Sequence, residues 1–228
     1  AGIRRPVKWF AIGENYRYER QQKGRLRAFF QYNADILGEE SLDADAEVIA
    51  LLIESLRGFG LTENEFKLRL GDRTLWVLFL ESAGVPDAKI ISVLSVIDKL
   101  EKVSLEALRE MTVAALDGTG LDADALVGKI KNFISLRDLD SMRAAFDADG
   151  ELAERVDARI ADWRKLVSIL ESLGVGAFIS PDLSIVRGLA YYTGFVFEAF
   201  QTAGTGRALA GRQKPQTTNN DRPVFLAS

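Results

Sequence analysis

The sequence of 228 residues predicts an α+β fold in which helices flank an antiparallel sheet and a helical insertion interrupts the chain. Three observations predict this fold. Residues 9–38 alternate like two strands joined by a turn, and residues 66–70 alternate like a further strand between two helical stretches. Residues 86–150 read as short amphipathic helices broken at glycines. Strands joined by a tight turn pair antiparallel, which sets the sheet type.

The predicted hairpin, residues 9–38, has two faces of opposite chemistry. Alternate residues of a strand share a face. We expect one face of the second strand to be core, and it carries Ala28, Phe30, Tyr32, Ala34 and Ile36. The other face is a polar row with one aromatic, formed by Arg27, Phe29, Gln31, Asn33 and Asp35. Residues 21–24 supply the turn. An ordinary solvated sheet face is the alternative interpretation.

The elements that follow support the mixed architecture. A capped amphipathic helix is predicted from Leu42 to about Arg57, then a strand over 66–70 and a helix over 74–82. A long helix from about Leu152 to Leu173 returns the chain to the sheet. We therefore divide the chain into a sheet part with the hairpin (1–85), a helical insertion (86–150), a return helix with a loop and strand (151–210) and an irregular tail (211–228).

Composition limits the chemistry. The chain has no cysteine and no histidine, which excludes catalytic triads, Cys-His pairs and zinc fingers. Residues 1–31 carry eight basic and two acidic side chains, a charge of +6, although the whole chain is −4. A cationic hairpin on an acidic body favours phosphate binding. No apolar run reaches the roughly 20 residues of a membrane helix, and no secretion pattern opens the chain, so we expect a cytoplasmic protein without a membrane partner.

Two segments resemble one enzyme family. The pattern tyrosine-arginine-x-glutamate-arginine, a basic turn and arginine-x-phenylalanine-x-glutamine, over residues 16–31, resembles motif 2 of class II aminoacyl-tRNA synthetases, and most closely that of the histidyl enzyme. Residues 185–198 (IVRGLAYYTGFVFE) are similar to its histidine-specific loop and strand, except that Ala190 stands where the family usually has aspartate. The resemblance covers residues 1 to about 210 and implies the class II synthetase sheet.

The resemblance implies roles for nine residues. Arg17 and Arg187 would be catalytic, each stabilising charge near the α-phosphate of ATP; pairing of Arg17 with Glu14 or Glu19 is the alternative. The implied ATP-binding residues are Arg17, Glu19, Arg25 and Phe29. The implied histidine-binding residues are Gln31, Asp35, Arg187, Tyr191 and Tyr192; a core position is the alternative for Tyr191 and for Phe29. No protein metal ligand is implied, and Mg²⁺ would accompany ATP.

The resemblance further implies a histidine–tRNA ligase acting on histidine, ATP and tRNA(His), homodimeric at full length. Because the dimer motif, the motif 3 helix and the anticodon domain are not recognisable, we interpret the chain as an inactive fragment of the catalytic domain. One alternative is the non-catalytic, synthetase-like regulatory subunit of ATP phosphoribosyltransferase. The other is a bare interaction module.

Overall fold

The computed structural model describes residues 4–18, 26–100, 103–186, 194–203, 208–213 and 225–227. Its strands are β1 (Val7–Tyr16), β2 (Ala28–Leu37), β3 (Phe66–Asp72), β4 (Ile179–Pro181), β5 (Phe195–Gln201), β6 (Ala210–Gln213) and β7 (Phe225–Ala227). Its helices are α1 (Leu42–Gly58), α2 (Arg73–Ser82), α3 (Asp87–Ile97), α4 (Leu105–Ala115), α5 (Ala123–Ser135), α6 (Leu139–Ala144) and α7 (Gly150–Ser172), with a 3-10 turn over Gly176–Phe178. This is the α+β composition that the sequence predicts.

The strands form two ladders. β1 and β2 pair antiparallel along their full length, with Trp9 opposite Asp35 and Asn15 opposite Phe29. The second ladder has the order β4-β3-β5-β6-β7, in which only the β3–β4 pair is parallel. β2 lies close to β7, the edge strand of the larger ladder, but the two ladders are separate sheets.

Local sequence signals begin and end the helices where predicted. The Ser41 side chain caps α1 by accepting from the Ala44 N–H, and Gly60 follows the helix at a φ of 86°. The predicted helix over 74–82 is observed as α2, whose first turn is capped by Asp72. The predicted return helix is α7, and Gly174 with a φ of 75° follows its end.

The core lies on one side of the sheet. Ala34 and Ile36 pack in one cluster with α1, α7, and the inward faces of β3 and β5. A second cluster joins α2, α3, α5 and α7, with Trp76 and Phe133 fully buried. The core face that we predict for β2 is correct for Ala34 and Ile36, and Tyr32 is half-buried against their cluster. It is wrong for Ala28 and Phe30, which are exposed (Phe30 by 75%) where the hairpin extends beyond that cluster.

The stretch predicted to be an irregular tail also differs. Residues 211–213 belong to β6 and residues 225–227 form β7, so backbone pairing extends the sheet there despite the glycines and prolines nearby. A strand can form from such a sequence because ladder hydrogen bonds use only backbone groups. The division of the chain at 85, 150 and 210 stays a prediction.

Candidate active site

The hairpin presents one polar face, on the side of the sheet opposite α1. Lys8 pairs with Glu47 of α1, which identifies the α1 side. Neighbouring positions in a strand point to opposite sides. Trp9 therefore faces away from α1, together with its cross-strand partner Asp35. Gln31 and Phe29 share that face, at two-residue intervals along β2. The predicted polar row thus forms on one continuous face.

Arg17 lies at the far end of this face, just beyond β1. Its backbone N–H donates to the carbonyl of Arg27 at 2.8 Å, which continues the ladder past Tyr16. Its guanidinium carbon lies 3.8 Å from the centroid of the Phe29 ring, and its Nε donates to the Leu26 carbonyl at 3.4 Å. A guanidinium over an aromatic face is a cation–π contact. It places the cation beside the only aromatic of the polar row.

Asp35 occupies the opposite end of the row. Its side chain is held across the hairpin by Trp9, whose indole Nε1–H donates to Oδ2 at 2.8 Å. The residue is only 9% exposed, and among the described residues its Oδ1 has no hydrogen-bond partner. Burial raises the pKa of the Asp35 carboxyl, and the bond from Trp9 partly opposes that rise. An oriented acceptor oxygen is thus held in a buried position.

Gln31 lies between these two ends. It is half-buried, and its Nε2 donates to Oδ1 of Asn33 at 2.7 Å. That contact uses an amide donor of Gln31 and leaves its Oε1 acceptor outside the pair. The row therefore reads, along β2, as an aromatic-cation pair, an amide pair and a buried carboxylate.

Several predicted site residues lie outside the described part of the chain. Glu19 and Arg25 belong to the turn region 19–25, and Arg187, Tyr191 and Tyr192 belong to the stretch 187–193, as does Ala190. The structure therefore brings together Arg17, Phe29, Gln31 and Asp35 on one face and says nothing about the other predicted residues. Their roles remain predictions.

Asp182 and Ser184, which precede the stretch 187–193, form a cluster with Arg69 of β3. Arg69 of β3 pairs with Asp182, its Nη2 donates to the Ser184 hydroxyl at 2.7 Å, and its guanidinium lies 4.8 Å from the Phe200 ring. Burial alone would raise the pKa of Asp182, but hydrogen bonds from Arg69 and Ser184 together with the Arg69 charge hold it below its usual value. A charged, hydrogen-bonded cluster thus precedes the second motif.

Sequence reasoning missed Trp9 as a functional residue. It begins the predicted hairpin (residues 9–38), yet its contact with Asp35 depends on the hairpin register, which places the two directly opposite. The sequence indicates this contact only once the turn is placed and the strand register is counted back from it. Arg69 and Asp182 were missed because 113 residues separate them.

An antiparallel sheet that is flanked by helices and carries a hairpin with an arginine-aromatic pair agrees with the catalytic fold of class II aminoacyl-tRNA synthetases. The family model described as histidyl-tRNA synthetase matches residues 2–212. The chain belongs to the histidyl-tRNA synthetase family.

Individual relatives agree with that family. The chain is 48% identical over 209 residues to a histidine–tRNA ligase of Opitutus terrae, covering 92% of this chain and 46% of the relative. Its fold is similar to a histidyl-tRNA synthetase from Nostoc sp. (TM-score 0.75, 21% identity, 99% of this chain and 52% of that one). It is also similar to an ATP phosphoribosyltransferase regulatory subunit/histidyl-tRNA synthetase from Bacillus halodurans (TM-score 0.74, 22% identity, 97% and 56%).

The chain spans about half the length of the curated relatives that it matches. Among the described residues, no helix is long and apolar enough to cross a membrane, and no group of three or more carboxylate, imidazole or thiol side chains could hold a metal ion.

Proposed function

We propose that this chain is the central part of the catalytic domain of a histidine–tRNA ligase, which activates histidine with ATP and transfers it to tRNA(His). The observation that supports this most is the polar face of the hairpin, with Arg17 stacked on Phe29 at one end and Asp35 buried at the other. Identity of 48% to a histidine–tRNA ligase over most of this chain supports it further.

The Arg17 end suits ATP. A guanidinium is always protonated and offers a planar fork of donors to phosphate oxygens, so it can stabilise the charge that develops when a carboxylate attacks the α-phosphate. Phe29 offers a ring for stacking on adenine. Because Arg17 covers one face of that ring, the adenine must take the other face or displace the guanidinium. Mg²⁺ would bridge the phosphates of the bound ATP.

The Asp35 end suits an imidazole. Trp9 occupies Oδ2, so Oδ1 is the acceptor left for a ring N–H. Gln31 lies on the same face, where its amide can meet the amino acid between ring and phosphate. Glu19, Arg25, Arg187, Tyr191 and Tyr192 complete the proposed site, Arg187 as a second cation at the α-phosphate and Tyr192 opposite Asp35 on the imidazole.

We also propose that the full-length protein works in the cytoplasm as a homodimer. The dimer proposal is supported by apolar side chains left open on the α1 side of the hairpin, where Phe10, Ile12 and Phe30 are 66–75% exposed. Such a patch on a soluble protein is typical of an interaction surface. Sedimentation equilibrium of the full-length protein measures the state directly, and a monomer at micromolar concentration contradicts the proposal.

The test of the activity is histidine-dependent exchange of labelled pyrophosphate into ATP by the full-length protein with Mg²⁺. We expect exchange with histidine and none with other amino acids, and we expect the 228-residue chain alone to be inactive. The second candidate is a regulatory subunit of ATP phosphoribosyltransferase, which the similarity to the Bacillus halodurans protein favours. Absence of exchange, combined with stimulation of a phosphoribosyltransferase catalytic subunit, would establish that candidate instead.

A further inference from the structure

Both ends of the stretch 187–193 rest on a single turn, the junction between β3 and α2 at residues 71–74. Ile185 and Val186 precede the stretch and Gly194 follows it. Val186 is 1% exposed, and Gly194 leads directly into β5. The contacts of these flanking residues therefore show how the chain is positioned just before and just after the stretch 187–193.

The incoming end is fixed by β3 and α2. A Cβ placed on Gly71 would lie 2.4 Å from the Ile185 carbonyl oxygen, so only glycine lets the two backbones approach this closely. The indole of Trp76, fully buried in α2, donates to the Leu183 carbonyl at 2.8 Å. Backbone contact and a buried hydrogen bond thus set the position of the chain as it reaches Val186.

The outgoing end is fixed by the first residues of α2. The Arg73 N–H donates to the Gly194 carbonyl at 3.0 Å. The Gly194 N–H donates to the Thr74 hydroxyl at 3.2 Å. Gly194 has a φ of 71°, a left-handed conformation that favours glycine. Two hydrogen bonds therefore set the direction in which the chain leaves the stretch.

A buried ion pair between Asp72 and Arg159 joins the same turn to helix α7. Oδ1 of Asp72 caps α2 through the Leu75 N–H, while its Oδ2 accepts from Nε of Arg159 at 2.6 Å and from the Trp163 indole at 2.7 Å. The Arg159 guanidinium also lies 4.0 Å from the centroid of the Phe195 ring, next to Gly194. Helix α7 thereby holds the turn and the residue after Gly194 in one arrangement.

Arg159 has a further hydrogen-bond donor that its pair with Asp72 does not use. Its Nη2 is buried and has no hydrogen-bond partner among the residues that the structure describes. That nitrogen lies 3.9 Å from the place where a Cβ on Gly194 would be. A buried donor without a partner is costly, and this one points to the end of the stretch 187–193. Helix capping needs only Asp72, so it explains neither this donor nor the Thr74 contact.

We propose that Thr74 and Arg159 are positioning residues: together with Asp72 they fix Gly194, the residue that follows the stretch 187–193, on the β3–α2 turn, and so set where Arg187 and Tyr192 meet the substrates. The inference rests on the proposed function for those two roles, whereas the anchoring itself is argued only from described contacts. Small misplacements of reacting groups cost rate more than affinity.

The experiment uses the full-length protein with Thr74→Val, Thr74→Ser, Arg159→Lys and a matched control, Arg155→Lys. Arg155 lies one turn earlier on α7 and pairs with Glu81 of α2 at the surface, so the control makes the same change away from the turn. For each variant we measure the single-turnover rate of histidyl-adenylate formation and the dissociation constants of histidine and ATP. Hydrogen–deuterium exchange of peptides covering 183–195 is measured as well.

We expect Thr74→Val and Arg159→Lys to lower the adenylation rate about 10- to 100-fold, with ATP affinity unchanged and faster exchange of the 183–195 peptides. Thr74→Ser keeps the hydroxyl and should retain wild-type values, as should Arg155→Lys. The inference is overturned if Thr74→Val leaves both rate and exchange at wild-type values, or if the control variant loses as much as Arg159→Lys. An inactive wild type refutes the proposed function alone, since hydrogen–deuterium exchange still tests whether the end of the stretch is anchored. If Arg159→Lys does not fold, the near-isosteric Thr74→Val decides.

Discussion

Asp35→Asn separates stability from histidine recognition, because the wild-type carboxylate is buried and one of its oxygens has no partner among the described residues. Above the ordinary aspartate pKa of about 3.9, folding must keep a charge in a position that is only 9% exposed. Asparagine is isosteric, and its Oδ1 can still accept from the Trp9 indole, so the variant loses the charge and keeps the cross-strand bond. We therefore expect the variant to be more stable at pH 7.

The size of that gain follows from linkage. Each pKa unit by which burial raises a carboxyl corresponds to about 1.4 kcal/mol between its protonation states, so the gain at pH 7 should equal the rise in the Asp35 pKa multiplied by that factor. Since the folded-state pKa of Asp35 is raised, the unfolded chain releases its proton first as pH increases. The wild type therefore loses stability relative to Asp35→Asn as pH rises from about 3.9 to the folded pKa. The gain vanishes below that range and is constant above it.

Recognition should move in the opposite direction. With Oδ1 of the asparagine bound to Trp9, its NH₂ group faces the imidazole, and two donors then meet. Losing a hydrogen bond to a charged acceptor costs about 1.5–3 kcal/mol, so histidine should bind roughly 10- to 100-fold more weakly while ATP is unaffected. Isothermal titration with each ligand and urea unfolding between pH 3 and 7 measure both effects. Unchanged histidine affinity, or a stability gain that persists at pH 3, refutes the reasoning.

Three further predictions concern neighbouring contacts. Arg17→Ala in the full-length protein should lower the adenylation rate by about 100-fold or more in single-turnover assays and spare histidine binding; the reverse pattern contradicts the phosphate role. Trp9→Phe removes the donor that orients Asp35 and should raise the Asp35 pKa further, seen by carboxyl NMR titration, whereas an unaltered titration would mean that the indole bond does not form in solution. Asp182→Asn should lower the unfolding free energy by about 1–3 kcal/mol at pH 7, because the depressed pKa of Asp182 stabilises the fold above about pH 3.9. The difference from wild type should shrink as pH falls through the folded-state pKa of Asp182, and a difference independent of pH in urea titrations would contradict this.

The sequence was most informative where one short-range rule determines the geometry. Period-two alternation assigns Phe29, Gln31 and Asp35 to one face whatever lies around them, and the structure has them there. The predicted bounds of α1, α2 and α7 likewise agree with the observed ones to within two residues. Burial was less predictable: Phe30 has the residue type and parity of a core position, yet α1 does not reach it.

Contacts between distant segments could not be read from the sequence. Arg159 and Asp72 are 87 residues apart, and the sequence around either residue does not identify the other as its partner. What the sequence does contain is an arginine on the apolar side of a long helix, one turn from Trp163, which is already inconsistent with a solvent-facing role. A buried arginine requires a carboxylate partner. An arginine in this position of the helix pattern indicates that a carboxylate lies on an element that packs against α7. Asp72 is such a carboxylate, since it ends a buried strand and caps helix α2. The positions where local rules fail are therefore the ones to examine for residues that hold a catalytic site together.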